Sequence, residues 1–212
     1  MRLPAPDRSY AVLVGASRYH DADLPNLPAV SNNVTTLASA LTNPDYGGFA
    51  ADHCAIVSNP ANVRAMYRRL RQSANLATDT LLVYFAGHGL LGPVKQDLYL
   101  ALPDTDIGEL EVSALPFDIV RQIFLNSKAK NRILILDCCF SGRAVHDVMA
   151  TKTDAVLGQA EIAGTYTLAS VPGNALSLAP AGEQFTVFTG VLLDLLNEGI
   201  PAGPELLSLG TV

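Results

Sequence analysis

The feature that most constrains this chain is a set of short, wholly apolar runs separated by stretches of helical spacing. Tyr10 to Gly15 reads Tyr-Ala-Val-Leu-Val-Gly, Thr80 to Ala86 reads Thr-Leu-Leu-Val-Tyr-Phe-Ala, and Arg132 to Leu136 reads Arg-Ile-Leu-Ile-Leu. Runs that do not alternate apolar with polar suit strands covered on both faces, as in a parallel sheet. From Ala29 to Leu41 the apolar residues Val30, Val34, Leu37, Ala38 and Leu41 keep helical spacing, and Asn43-Pro44 ends the helix.

The same rhythm continues along the chain. Cys54 to Val57 is a second strand. Asn59-Pro60 then serves as cap and first position of a helix carrying Val63, Met66, Tyr67 and Leu70 inward. The opposite face holds Arg64, Arg68, Arg69 and Arg71, read as a solvated surface rather than an anion site. Asp97 to Leu102 predicts a small strand, Pro116 to Phe124 a helix and Thr165 to Ser170 another strand. The last helix carries Phe185, Phe188, Leu192, Leu195 and Leu196. Residues 143 to 162 are polar, rich in Ala, Thr and Gly, and predict a mobile loop. Alternating strands and helices imply a three-layer α/β/α sandwich with a mostly parallel central sheet, one domain over residues 1–212, and a site at the carboxyl ends of the strands.

Charge narrows the partners. The 14 Lys and Arg against 20 Asp and Glu leave a net charge of -6, with no basic block interleaved with aromatics, so nucleic acid is a poor partner. No stretch approaches the roughly 18 apolar residues of a membrane span, and Met1 to Asp7 lacks the apolar core of a leader. A soluble, cytoplasmic protein is expected. Cys54, Cys138 and Cys139 are an odd set with two adjacent members, a poor disulfide framework that suggests chemistry or packing.

Two of the apolar runs lead into reactive residues: Thr80 to Ala86 into Gly87-His88-Gly89, and Arg132 to Leu136 into Asp137-Cys138-Cys139-Phe140-Ser141-Gly142. Two strands thus present an imidazole and a thiol to one rim of the sheet. A thiolate with a neighbouring base that later protonates a leaving amine is chemically sufficient for peptide hydrolysis. Spacing alone leaves open which of Cys138 and Cys139 attacks, because adjacent residues of an extended chain point oppositely. Zinc is disfavoured, since Cys138, Cys139 and His146 lack a second ligand pair, and no metal site is predicted.

His88 and Cys139 stand 51 positions apart, against the about 50 of the caspase signature. Tyr84-Phe85-Ala86-Gly87-His88-Gly89 resembles the strand and His-Gly turn of caspases and metacaspases. Asp137 to Gly142 is similar to the metacaspase Asp-Ser-Cys-His-Ser-Gly box, and the likeness runs over roughly residues 8 to 198. The resemblance implies a caspase-haemoglobinase fold and a cysteine endopeptidase acting on protein or peptide substrates. In it Cys139 is the nucleophile, His88 the acid/base, and the backbone N–H groups of Gly89 and Cys139 the oxyanion hole. Asp137 lines an anionic pocket favouring Arg or Lys before the cleaved bond, while Arg18 offers a competing site for an acidic residue. Cys138 and Phe140 replace the Ser and His flanking the metacaspase nucleophile, and neither position carries the proton transfer.

The resemblance further implies self-cleavage in the 143–162 loop, which contains Arg143 and Lys152, and fusion to or association with effector or sensor modules. No cofactor is expected. A calcium signal in the acidic loop of Asp104, Asp106, Glu109 and Glu111 is weak, because Gly108 falls at the fifth place rather than the sixth. Two other classes remain: a catalytically silent caspase-like scaffold, and a receiver-like signalling module in which Ile133 to Asp137 delivers a phosphoacceptor. The second lacks an acidic pair in Val12 to Ser17 to hold Mg²⁺.

Overall fold

A computed structural model of the chain describes residues 2–92, 96–140, 158–170, 182–204 and 206, with residues 139 and 140 described by their backbone only. The first part of the expected mobile loop, with Arg143, His146 and Lys152, lies outside the described residues. Strands β1 (Tyr10–Gly15), β2 (Cys54–Ser58), β3 (Thr80–Leu91), β6 (Asn131–Phe140) and β7 (Tyr166–Ala169) form a parallel sheet in the order β2-β1-β3-β6-β7. Two short strands, β4 (Leu98–Leu100) and β5 (Leu115–Pro116), extend it antiparallel from the far end of β3.

Alternate residues of each central strand feed two apolar layers, which is why the runs show no polar alternation. Val12, Val14, Val83, Phe85, Leu134 and Leu136 pack with Met66 and Leu70 of α2 (Val63–Leu76) and with Phe117 and Phe124 of α4 (Phe117–Asn126). Ala11, Leu13, Leu82, Tyr84 and Ile135 pack on the other face with Val34 and Leu37 of α1 (Ala29–Leu41) and Leu192 and Leu193 of α5 (Val187–Glu198). Each such aliphatic side chain contributes about 1.5–3 kcal/mol by leaving water. The helix–sheet–helix layering matches the predicted sandwich, and α1 has the bounds its apolar spacing predicts.

Three local expectations change. Asn59 does not cap α2; Asn62 does, accepting from the Ala65 N–H at 2.9 Å, while Asn59 adopts φ +48° in the loop before it. β3 and β6 run past the expected ends at Ala86 and Leu136, because Gly89–Leu91 pairs with Leu98–Leu100 and the two long strands pair with each other up to Gly89 and Phe140. The acidic loop is partly ordered as a 3-10 turn (Ile107–Glu109) and the single helical turn α3 (Leu110–Ser113). Asp106 accepts from the Gly108 N–H at 2.7 Å, a local side-chain turn.

The amino-terminal segment is fastened to the start of β3. Asp79 is 2% exposed, and its carboxylate pairs with the Arg2 guanidinium and accepts from the Ala5 N–H at 2.9 Å and the Ser9 hydroxyl at 3.3 Å. These donors, the Arg2 hydrogen bond foremost, hold its pKa well below the usual carboxylate range. The stabilisation is therefore present above the carboxyl's unfolded pKa and disappears as pH falls through the folded one. Asp79→Ala is expected to lower Tm by about 5 °C at pH 7. The difference from wild type should shrink as the pH is taken below about 4, and a constant difference across that titration would contradict the assignment.

Candidate active site

The β3–β6 ladder brings the two predicted reactive positions together. His88 is the direct register partner of Cys139, as Ala86 is of Asp137 and Gly89 of Phe140. Neighbouring strands lie about 4.8 Å apart, and directly paired positions of a parallel ladder occupy the same face. Both residues sit within strand backbone rather than in the turns expected from the flanking glycines.

His88 is 6% exposed and held from two sides. Its Nε2 lies 2.8 Å from the Pro25 carbonyl oxygen; since a carbonyl only accepts, this nitrogen carries the hydrogen and the neutral ring keeps its lone pair on Nδ1. Its backbone N–H donates to the Tyr19 hydroxyl at 3.1 Å, and the Tyr19 ring lies against the imidazole with centroids 4.8 Å apart. Burial pushes the His88 pKa below the ordinary imidazole value, opposed in part by the bond to Pro25.

Asp137 is 1% exposed and anchors a network that joins β6 to three other elements, β3, α1 and α5. Its Oδ2 accepts from the hydroxyls of Thr186 (2.5 Å), Thr189 (2.6 Å) and Tyr84 (3.1 Å) and from Asn33 Nδ2 (3.3 Å), while Oδ1 has no hydrogen-bond partner among the described residues. Thr186 and Asn33 also bond reciprocally, Asn33 Nδ2 to Thr186 Oγ1 at 2.8 Å and Thr186 N–H to Asn33 Oδ1 at 3.2 Å. Burial raises the Asp137 pKa, and the hydroxyl donors work against that rise. Sequence reasoning singled out Asp137 but missed Asn33, Thr186 and Thr189. The available signal was an Asn between Val30 and Val34 on the inward face of α1, and two Thr at the start of a helix whose first half is otherwise apolar.

The caspase domain model matches residues 8–209, nearly the whole chain. The chain belongs to the caspase domain family. Members of that family are cysteine peptidases. Among solved structures this caspase domain is similar to Spodoptera frugiperda caspase-1, with a TM-score of 0.62 and 16% identity, over 93% of this chain and 71% of that one. A second structure, of pro-sf-caspase-1, gives 0.59 and 16% over 92% and 72%, and a protein from Geobacter sulfurreducens gives 0.60 and 16% over 92% and 84%. At that identity the likeness is one of fold. Comparison with curated proteins finds none that matches. The assignment leaves the receiver-like alternative with no observation behind it.

The remaining candidates of this caspase domain fall as follows. Gly89 is buried at the point where β3 pairs with both β6 and β4. Cys138 is 0% exposed in the layer under α2 and α4, whereas Cys54 is half-buried on the edge strand β2, its thiol pushed up to about 11 by burial. Arg18 is exposed in the loop after β1, with its backbone N–H donating to Asn59 Oδ1 at 3.1 Å. Arg64, Arg68, Arg69 and Arg71 are exposed along α2. Among the described residues no helix is long and apolar enough to cross a membrane, and no three His, Cys, Asp or Glu are grouped to hold a metal ion.

Proposed function

We propose that this caspase domain is a cysteine endopeptidase working through a Cys139–His88 dyad. The observation that carries the reading is the direct pairing of the two positions in the β3–β6 ladder, with His88 Nε2 already committed to the Pro25 carbonyl. His88 Nδ1 then takes the thiol proton as Cys139 Sγ attacks the scissile carbonyl. The tetrahedral oxyanion is assigned to the N–H groups of Gly89 and Cys139, which must leave the β3–β6 ladder to donate to it and are then typically worth about 3 kcal/mol each. Its collapse expels the amine, which His88 protonates, and water hydrolyses the thioester with His88 again as base.

Specificity for Arg or Lys follows from Asp137. A buried carboxylate with one oxygen occupied by four donors and the other bonded to no described group is costly, and a guanidinium or ammonium at Oδ1 relieves that cost. Fluorogenic peptides with Arg, Lys, Asp or a small residue before the scissile bond test both parts. Turnover of none of them, with thiol labelling no faster at Cys139 than at Cys54, would favour a silent scaffold. The same specificity makes Arg143 and Lys152 targets for self-cleavage, expected as a mass change in wild type that is missing from Cys139→Ala.

The lowered His88 pKa sets the acid side of the pH profile. The neutral imidazole is the base, and burial keeps it neutral to a lower pH than usual. The acid limb of kcat/KM for the free enzyme should therefore fall below about 6.5, the ordinary imidazole value. A limb above that value would contradict the neutral dyad.

A further inference from the structure

We propose that Tyr19 is the positioning residue of the dyad: with the space left by Gly87, its hydroxyl and ring hold His88 so that Nδ1 is the nitrogen that receives the proton. The inference rests on the Cys139–His88 reading and adds a residue that the sequence did not single out. Three contacts join the two side chains' neighbourhoods. The His88 backbone N–H donates to the Tyr19 hydroxyl at 3.1 Å, that hydroxyl donates to the Ala16 carbonyl at 2.7 Å, and the rings meet at 4.8 Å with planes inclined by 49°. A phenol has one hydrogen, and giving it to Ala16 directs its lone pairs at the His88 amide. Tyr19 is 8% exposed, so a hydroxyl there is tolerated because both of its roles are filled.

Gly87 supplies the second observation. A Cβ at this position would lie 2.8 Å from the Tyr19 hydroxyl, 3.0 Å from the end of the Phe85 ring and 3.2 Å from the Ala16 methyl. Its φ is not among the positive ones, so the glycine is required here for space rather than for an unusual backbone. The hydroxyl occupies the volume that any other residue beside His88 would fill.

Tyr19 is itself held before it meets the histidine. Its N–H donates to Asn26 Oδ1 at 2.9 Å, the preceding Ser17 N–H donates to Asn59 Oδ1 at 2.9 Å, and the Leu27 N–H closes the loop on the Ser17 carbonyl at 2.9 Å. The same loop carries Pro25, whose carbonyl takes the Nε2 hydrogen. One segment, from Ala16 to Leu27, thus grips the imidazole at its ring face and Nε2 and at the backbone behind it, leaving Nδ1 as the nitrogen with its lone pair.

The test is Tyr19→Phe, which keeps the ring and removes the hydroxyl. It should lower kcat about 10-fold with KM unchanged, because a small misplacement of a catalytic group is felt in the chemical step. ¹⁵N NMR of His88 should show one tautomer, hydrogen on Nε2, in the wild type and a mixture in the variant, as the less tightly held ring swings away from the Pro25 carbonyl that fixes that hydrogen; this readout needs no substrate. Gly87→Ala should cost activity with Tyr19 present, and less when combined with Tyr19→Phe, since the nearest of the three groups it would crowd is gone while Phe85 and Ala16 stay. Unchanged kcat and tautomer balance in Tyr19→Phe, or strictly additive effects in the double variant, would overturn the assignment. Cys139→Ala separates the two levels. Full activity in that variant removes the dyad itself, whereas its inactivity together with an unaffected Tyr19→Phe removes only the positioning role.

Discussion

Cys139→Ala is expected to lower peptidase activity by at least about 10⁴-fold, and His88→Ala by a similar factor, with the double variant little worse than either. The non-additivity is the signature of a unit: without the base there is no thiolate to attack, and without the sulfur there is nothing for the base to activate. Mass-spectrometric mapping after brief treatment with iodoacetamide gives an independent readout. Cys139 should alkylate first, because Cys138 is wholly buried and the Cys54 thiol, at about 11, is almost entirely protonated near neutrality. Retained activity in Cys139→Ala together with its loss in Cys138→Ala would move the nucleophile by one residue and put it on the other face of the sheet.

Asp137→Ala is expected to lower kcat/KM for an Arg substrate about 10²-fold while changing an uncharged substrate far less, in line with the loss of a charge-assisted contact. The comparison between substrates matters because the same substitution also strips the acceptor from Thr186, Thr189, Tyr84 and Asn33, which join α5 and α1 to the sheet. A general loosening would depress both substrates and Tm together. Only a change in their ratio reports on the pocket. Cleavage after Asp, or an unaltered Arg preference in Asp137→Ala, would remove the pocket assignment and leave the dyad standing, with Arg18 the next residue to vary.

Much of the architecture was legible because it is local. The non-alternating runs at β1, β3 and β6 announce strands covered on both sides, and the 3.6 spacing of Val30, Val34, Leu37 and Leu41 marks one helix face. Asn59 shows the limit. As an Asn before Pro and a helix it has the composition of a cap, but its side chain bonds Ser17 and Arg18, 42 and 41 positions away, and the helix begins three residues later with Asn62 as cap. Strand ends were misjudged for a like reason: Gly87 and Gly89 look like turn residues locally, and it is pairing with β4 and β6 that keeps them extended.

The sequence by itself determined the alternation of strands and helices, the family to which the chain belongs, and the two boxes that hold an imidazole and a thiol. All of these are carried by neighbours within one element or by residues at a set spacing. The tertiary structure alone decided that positions 88 and 139 are direct register partners, that a loop after β1 grips the imidazole, and that Asp137 collects hydroxyls from the far end of the chain. Those contacts join segments tens of residues apart. They are chosen by closing the two apolar layers around one sheet, and residue order alone contains no short-range signal of which polar groups that closure will bring face to face.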